Sequence, residues 1–248
     1  MVRAPQGDDV RPSALDAESV VGEARRALFV MAGVIAVIWI VQVVNWLDGY
    51  GLSRRFGIIA HEPSRLGDIF AAPFLHWSFT HIEANSAPLF FLGFLAAYRG
   101  LRRFVVVTLL IVVMSGLGSW LFGSPHAVGT GASGVVYGYF AYVVLRGVVE
   151  RHLVDVIVGL VVALSYWSIV AGVLPSDRRI SWQAHLFGLL AGVVAAVAMR
   201  SPRKGAIAVA PHGSPDAPAV TAGPAAGPAP GAGSRAALHK ELDDLGLS

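Results

Sequence analysis

The sequence predicts an all-α, polytopic membrane protein. Two observations carry that reading. Of 248 residues, 55% are hydrophobic and only 14% charged, which is too apolar for an ordinary soluble domain. The apolar residues also fall in runs that approach or exceed the roughly 20 needed to cross a bilayer as a helix. The first run follows a polar stretch and is too long for the apolar region of a cleavable signal, so none is expected. Cysteine is absent, which excludes a thiol nucleophile, disulfides and thiolate metal sites.

Six spans are expected, at about 27–46, 81–98, 104–121, 131–145, 153–174 and 182–199. Residues 1–24 read as a polar cytosolic segment, 25–200 as one membrane-embedded helical domain, and 201–248 as an Ala/Pro/Gly-rich disordered cytosolic tail. The connection from Leu47 to about Thr80 is long. Its apolar stretch Ile69–Phe79, interrupted by Pro73, is expected in or near the membrane interface. Orientation follows from basic residues. With the N-terminus inside, Arg25, Arg26, Arg99, Arg102, Arg103, Arg146, Arg151, Arg200, Arg203 and Lys204 face the cytosol, against Arg54, Arg55, Arg65, Arg178 and Arg179 outside. Both termini are therefore expected in the cytosol, with the chain in the plasma membrane.

That orientation places the starts of spans 2, 4 and 6 at the outer side. They carry His81 and Asn85, Ser133, and His185 respectively. Polar residues that converge within a membrane are a functional-site hypothesis by default. Span 4, at about 15 residues, is roughly 22 Å long, short of a hydrocarbon core about 30 Å thick. With Arg146 anchored at the cytosolic face, Ser133 would open a helix below the outer surface, at the floor of a wet cavity. Irregular backbone such as "GSPHAVGTG" is tolerated at that depth only inside protein or beside water. The unpaired N–H groups of a helix start favour developing negative charge.

Each residue alone has an ordinary reading. Serines in membrane helices usually bond back to a carbonyl or pack at an interface. His185, in "AHLFGLLAG", precedes Gly188 and Gly192 on one face, which fits a small-residue packing seam beside a satisfied histidine. The sharper reading is that the glycines draw span 6 onto span 4 and bring His185 to Ser133, with Tyr137 packed on the imidazole. Gly131 and Gly134 let the loop turn and the backbones approach. His81 and Asn85 share a helix face at i, i+4 and are suitable oxyanion donors. His76 reads as a residue that fixes the loop, His126 and His152 as incidental, and Asp155 as a lone acid near the cytosolic end of span 5. Pro88 is expected to bend span 2.

Together, "HWSFTHIEAN" (76–85), "GASGVVYG" (131–138) and "AHLFGLLAG" (184–192) resemble the signature segments of the rhomboid intramembrane serine proteases. The resemblance covers about residues 27–199 and implies a six-transmembrane-helix rhomboid-like bundle. It further implies a Ser133–His185 dyad, an oxyanion site from His81, Asn85 and the Ser133 backbone N–H, and single-pass membrane-protein substrates cut near the outer face. One departure is evident. The stretch "LGDIFAAPFLH" lacks the Trp-Arg pair that commonly precedes the first histidine of the family.

No His-Glu-x-x-His zinc site, paired intramembrane aspartates, nucleotide loop or nucleic-acid motif occurs. The expected enzyme needs no metal or cofactor and takes neither nucleotide nor nucleic acid. Its partners are the bilayer and its substrates. Two alternatives remain: a catalytically inactive rhomboid-like binding protein or chaperone, and a small transporter. The transporter lacks the repeated halves common in that class.

Overall fold

The structure is a computed structural model and describes residues 14–174 and 181–200. The expected tail from 201 onward, the first 13 residues of the expected N-terminal segment, and Arg178, Arg179, Arg203 and Lys204 lie outside the described residues.

The chain is mostly helical. The main helices are α1 (Ala14–Leu47), the short α2 (Gly51–Phe56), α3 (Phe79–Ala97), α4 (Leu101–Phe122), α5 (Ser133–Glu150), α6 (Leu153–Ser165) and α7 (Trp182–Ala198). By length and composition, two segments suit a membrane crossing, Ser19–Leu47 of α1 and all of α4. Helices α6 and α7 are apolar but shorter. Large apolar side chains such as Phe29, Ile40, Leu109, Leu160 and Val197 are exposed on the outer faces of these helices, as expected where lipid replaces water.

Helix α5 is the centre of the bundle. Twelve of its eighteen residues are buried, and α3, α4, α6 and α7 all pack against it. The core joins Met31 and Ile38 of α1 to Ile82 and Leu92 of α3, Val107 and Ile111 of α4, and Tyr139 and Tyr142 of α5. Close helix contacts depend on missing side chains. A Cβ at Gly188 would stand 2.1 Å from the Gly134 carbonyl oxygen, and one at Gly192 2.1 Å from that of Gly138. Helices α5 and α7 therefore meet backbone to backbone.

Three elements differ from expectation. Span 5 is not one α-helix: α6 ends at Ser165, and 3₁₀ turns follow over Trp167–Val173. The tighter 3₁₀ rise of about 2.0 Å per residue lets so short a helix reach further across the bundle. The 47–80 connection holds α2, two short 3₁₀ stretches (Pro63–Phe70 and Ala72–Phe74) and strand β1 (Ile58–Ile59), which pairs antiparallel with β2 (Val128–Gly129). This small ribbon ties the connection to the loop that leads into α5. Lastly, Arg146 is not anchored at a solvent face. It is 1% exposed, and α5 continues a turn beyond it, to about 27 Å in all.

The burial of Arg146 has a partner that the sequence reading missed. Its guanidinium donates to Asp155 Oδ1 (3.0 Å) and to the Leu95 carbonyl (3.1 Å). Arg99 also bonds Asp155, and His152 Nδ1 lies 3.3 Å from the same carboxylate. Asp155, the single acid of this cluster among the described residues, is thus the shared partner of Arg99 and Arg146, and His152 stands beside it away from the cavity. A buried charge is tolerated only when paired and hydrogen-bonded, and this cluster joins the base of α6 to α3 and α5.

Candidate active site

Helix α3 starts where Ser78, in extended conformation, accepts a hydrogen bond from the His81 N–H (3.1 Å), a side-chain cap of the usual kind. His81 and Asn85 therefore sit in the first two turns. Asn85 is 6% exposed, and its Nδ2 donates to the His81 carbonyl (3.1 Å). That bond occupies one amide hydrogen and leaves the other. Helix α7 is capped in the same way by Ser181, whose hydroxyl accepts from the Ala184 N–H (3.4 Å). His185 follows in its first turn. Helix α5 opens on Ser133 with no side-chain cap, so its first N–H groups are not taken by a capping side chain.

These three helix starts meet. Ser133 Oγ lies 2.8 Å from His185 Nε2. The other ring nitrogen, Nδ1, is 2.8 Å from the Gly172 carbonyl oxygen. A carbonyl only accepts, so Nδ1 carries the proton, and in the neutral ring Nε2 is left as an acceptor for the serine hydroxyl. The Tyr137 ring stacks on the imidazole, with centroids 4.0 Å apart and planes 7° from parallel. His185 and Tyr137 are each 7% exposed. Gly131 has φ +121°, a conformation suited to glycine. A Cβ there would stand 2.8 Å from His81 Cε1 and 3.9 Å from Asn85 Nδ2, so the strand-to-helix loop lies directly against the α3 pair. A Cβ at Gly134 would collide with Ser115 Oγ at 2.0 Å. That hydroxyl donates to the Ala184 carbonyl (2.9 Å) and fixes the residue before His185.

His81, Asn85, Ser133, Tyr137 and His185 line one cavity of about 1100 Å³, together with Ser115, Ser119, Ser181 and Gln183. Its wall combines these hydroxyl and amide groups with apolar side chains such as Ile69, Val112 and Val135.

Behind it lies a buried polar support, in which His76 fixes the loop as expected and Asn45 and Ser53 are additions to the sequence reading. Asn45 of α1 donates to the His76 carbonyl (3.0 Å) and to Ser53 Oγ (2.8 Å), and accepts from the Ser53 N–H (3.0 Å). His76 is fully buried, and its Nε2 accepts from the Ala132 N–H (3.4 Å). Its ring meets His81 edge to face at 4.9 Å. Burial pushes the His76 pKa down to about 3, and the neighbouring His81 adds to the effect. His76 is thus a neutral acceptor that holds the peptide just before Ser133. Polar residues of α1 within the apolar run (Gln42, Asn45) were the available signal. Among the described residues no cluster of His, Asp and Glu suits a metal ion.

The fold and the site define a helical protein of membrane type, with a serine and a histidine paired in one cavity between helix starts. The Rhomboid domain profile matches residues 63–202. An uncharacterised protein of Mycobacterium tuberculosis strain H37Rv is 37% identical over 186 residues, covering 71% of this chain and 76% of the relative. An uncharacterised protein of Mycobacterium leprae is 33% identical over 193 residues, covering 73% and 76%. The chain belongs to the rhomboid family.

Proposed function

We propose that this chain is an intramembrane serine endopeptidase that cuts transmembrane segments of other membrane proteins. The observation that carries the reading is the Ser133–His185 hydrogen bond of 2.8 Å in the tautomer a general base requires. In this account His185 Nε2 takes the Ser133 proton as Oγ attacks the substrate carbonyl carbon. The resulting oxyanion is held by His81, Asn85 and the Ser133 backbone N–H. Collapse breaks the C–N bond, and Nε2 returns the proton to the leaving amine. Water from the cavity, deprotonated by Nε2, then attacks the acyl carbon; the C–Oγ bond breaks, Nε2 returns the proton to Ser133 Oγ, and the acid leaves.

The domain is read as six spans with both termini cytosolic and the cavity near the outer face of the plasma membrane. The charge balance of the loops supports that topology. Substrates are read as single-pass proteins whose helices unwind locally near weak helix formers to expose the scissile carbonyl. The family also contains inactive members, and retention of both Ser133 and His185 favours activity. Cleavage of a model single-pass substrate by the purified protein in proteoliposomes, lost in Ser133→Ala, tests the proposal. Binding without cleavage would place the chain among the inactive members. Flux of a solute independent of both residues would make it a transporter.

A further inference from the structure

We infer that Gly172 is a positioning residue for the base. Its main-chain carbonyl does for His185 what a carboxylate does in a three-residue catalytic set. The inference rests on the proteolytic reading above and concerns the same site. The Gly172 carbonyl oxygen is the acceptor for His185 Nδ1–H, at 2.8 Å. Among the described residues no Asp or Glu bonds that ring. The bond fixes the tautomer, directs Nε2 at Ser133, and offers a partial negative charge to the imidazolium that forms during attack.

The residue at 172 is constrained as well as the carbonyl. A Cβ there would stand 1.9 Å from the Tyr137 hydroxyl oxygen and 3.4 Å from His185 Nδ1. Tyr137 of α5 and His185 of α7 form a stacked pair, and the Gly172 backbone closes the edge of both rings. Only a residue without a side chain brings its carbonyl this close. The turn Trp167–Val173 follows directly on α6, so the orientation of the base is set by an element outside the two helices that carry the dyad. A shift of this turn of about 1 Å would lengthen the bond and cost up to about 10²-fold in rate.

The test uses the full-length protein in lipid nanodiscs with ¹⁵N-labelled histidine, His185 being assigned by difference from His185→Gln. The wild type should show His185 with Nδ1 protonated and Nε2 bare. In Gly172→Ala that tautomer should lose dominance, kcat should fall about 10- to 100-fold, and KM should change by less than about 2-fold. The Gly172→Ala penalty should shrink in a Tyr137→Phe background, where the hydroxyl that meets the new methyl is gone and the ring remains. Wild-type His185 protonated on Nε2, an unchanged tautomer and kcat in Gly172→Ala, or an equal penalty in the Tyr137→Phe background would each overturn the inference. A wild type with the expected tautomer that cleaves nothing would instead sink the proteolytic reading and leave the hydrogen bond standing.

Discussion

Gly188→Ala adds one methyl at the closest contact between α5 and α7. The new Cβ would stand 2.1 Å from the Gly134 carbonyl oxygen and 2.9 Å from the carbonyl carbon. An ordinary contact begins near 3.4 Å, so the helices must separate by about 1.3 Å. No flexible side chain gives way, because the obstacle is backbone. His185 lies three residues earlier on the same helix face, and a helix displaced that far carries Nε2 from 2.8 Å to about 4 Å from Ser133 Oγ. Misplacement by about 1 Å costs on the order of 10² in rate, and overpacking of this kind costs about 1–3 kcal/mol in stability. The assay is initial-rate cleavage of a transmembrane substrate in proteoliposomes, with thermal unfolding in parallel. Gly33→Ala is the control, since a Cβ there meets nothing within 4 Å, and it should leave both measurements unchanged. Wild-type kcat in Gly188→Ala would refute the reasoning that the glycine seam sets the distance between serine and histidine.

Removing either proposed oxyanion donor, by His81→Ala or Asn85→Ala, should lower kcat about 10²- to 10³-fold while the protein still reacts with a small serine-directed probe; unchanged kcat would exclude that residue from the site. Asp155→Leu leaves Arg146 buried without its partner and should destabilise by about 3–5 kcal/mol, whereas Arg146→Met/Asp155→Leu should recover much of that loss, measured by denaturant unfolding in micelles. His76 titrates at about 3 in the folded protein against an ordinary 6.5, so the unfolded chain takes up its proton first as pH falls. The stability it leaves intact above pH 6.5 should decline by about 1.4 kcal/mol per unit below it. Between pH 7 and pH 5 the wild type should therefore lose about 2 kcal/mol more than His76→Gln, and parallel curves would contradict the assignment.

The helices that bound the site are legible in sequence because lipid demands unbroken apolar surface: α3, α4 and α7 lie within about three residues of the expected spans. Helix α1 begins well before its apolar run, at Ala14, since hydropathy reports where a helix is greasy and not where it starts. The connection between α1 and α3 was opaque because 3₁₀ turns and a two-residue ribbon carry no period. Ser133, His185, His81 and Asn85 stood out as polar residues at the ends of apolar runs. Of their supports, Tyr137 and His76 were legible as well. Gly172 and Asn45 were not: Gly172 acts through a main-chain oxygen, which no side-chain pattern encodes, and Asn45 acts on a peptide far away in sequence. The Arg146–Asp155 pair had a partial signal that positive-inside counting obscured: a charge deep in an apolar run needs an opposite charge nearby, and Glu150 and Asp155 both follow within nine residues.

The central claim is that Ser133 is a nucleophile activated by His185. Exposure of the purified protein to a fluorophosphonate, followed by intact-mass and peptide mapping, tests it directly. The account predicts a single adduct on Ser133, formed rapidly in the wild type and at least 10²-fold more slowly in His185→Ala. An adduct on another serine, or equal labelling with and without His185, would contradict it.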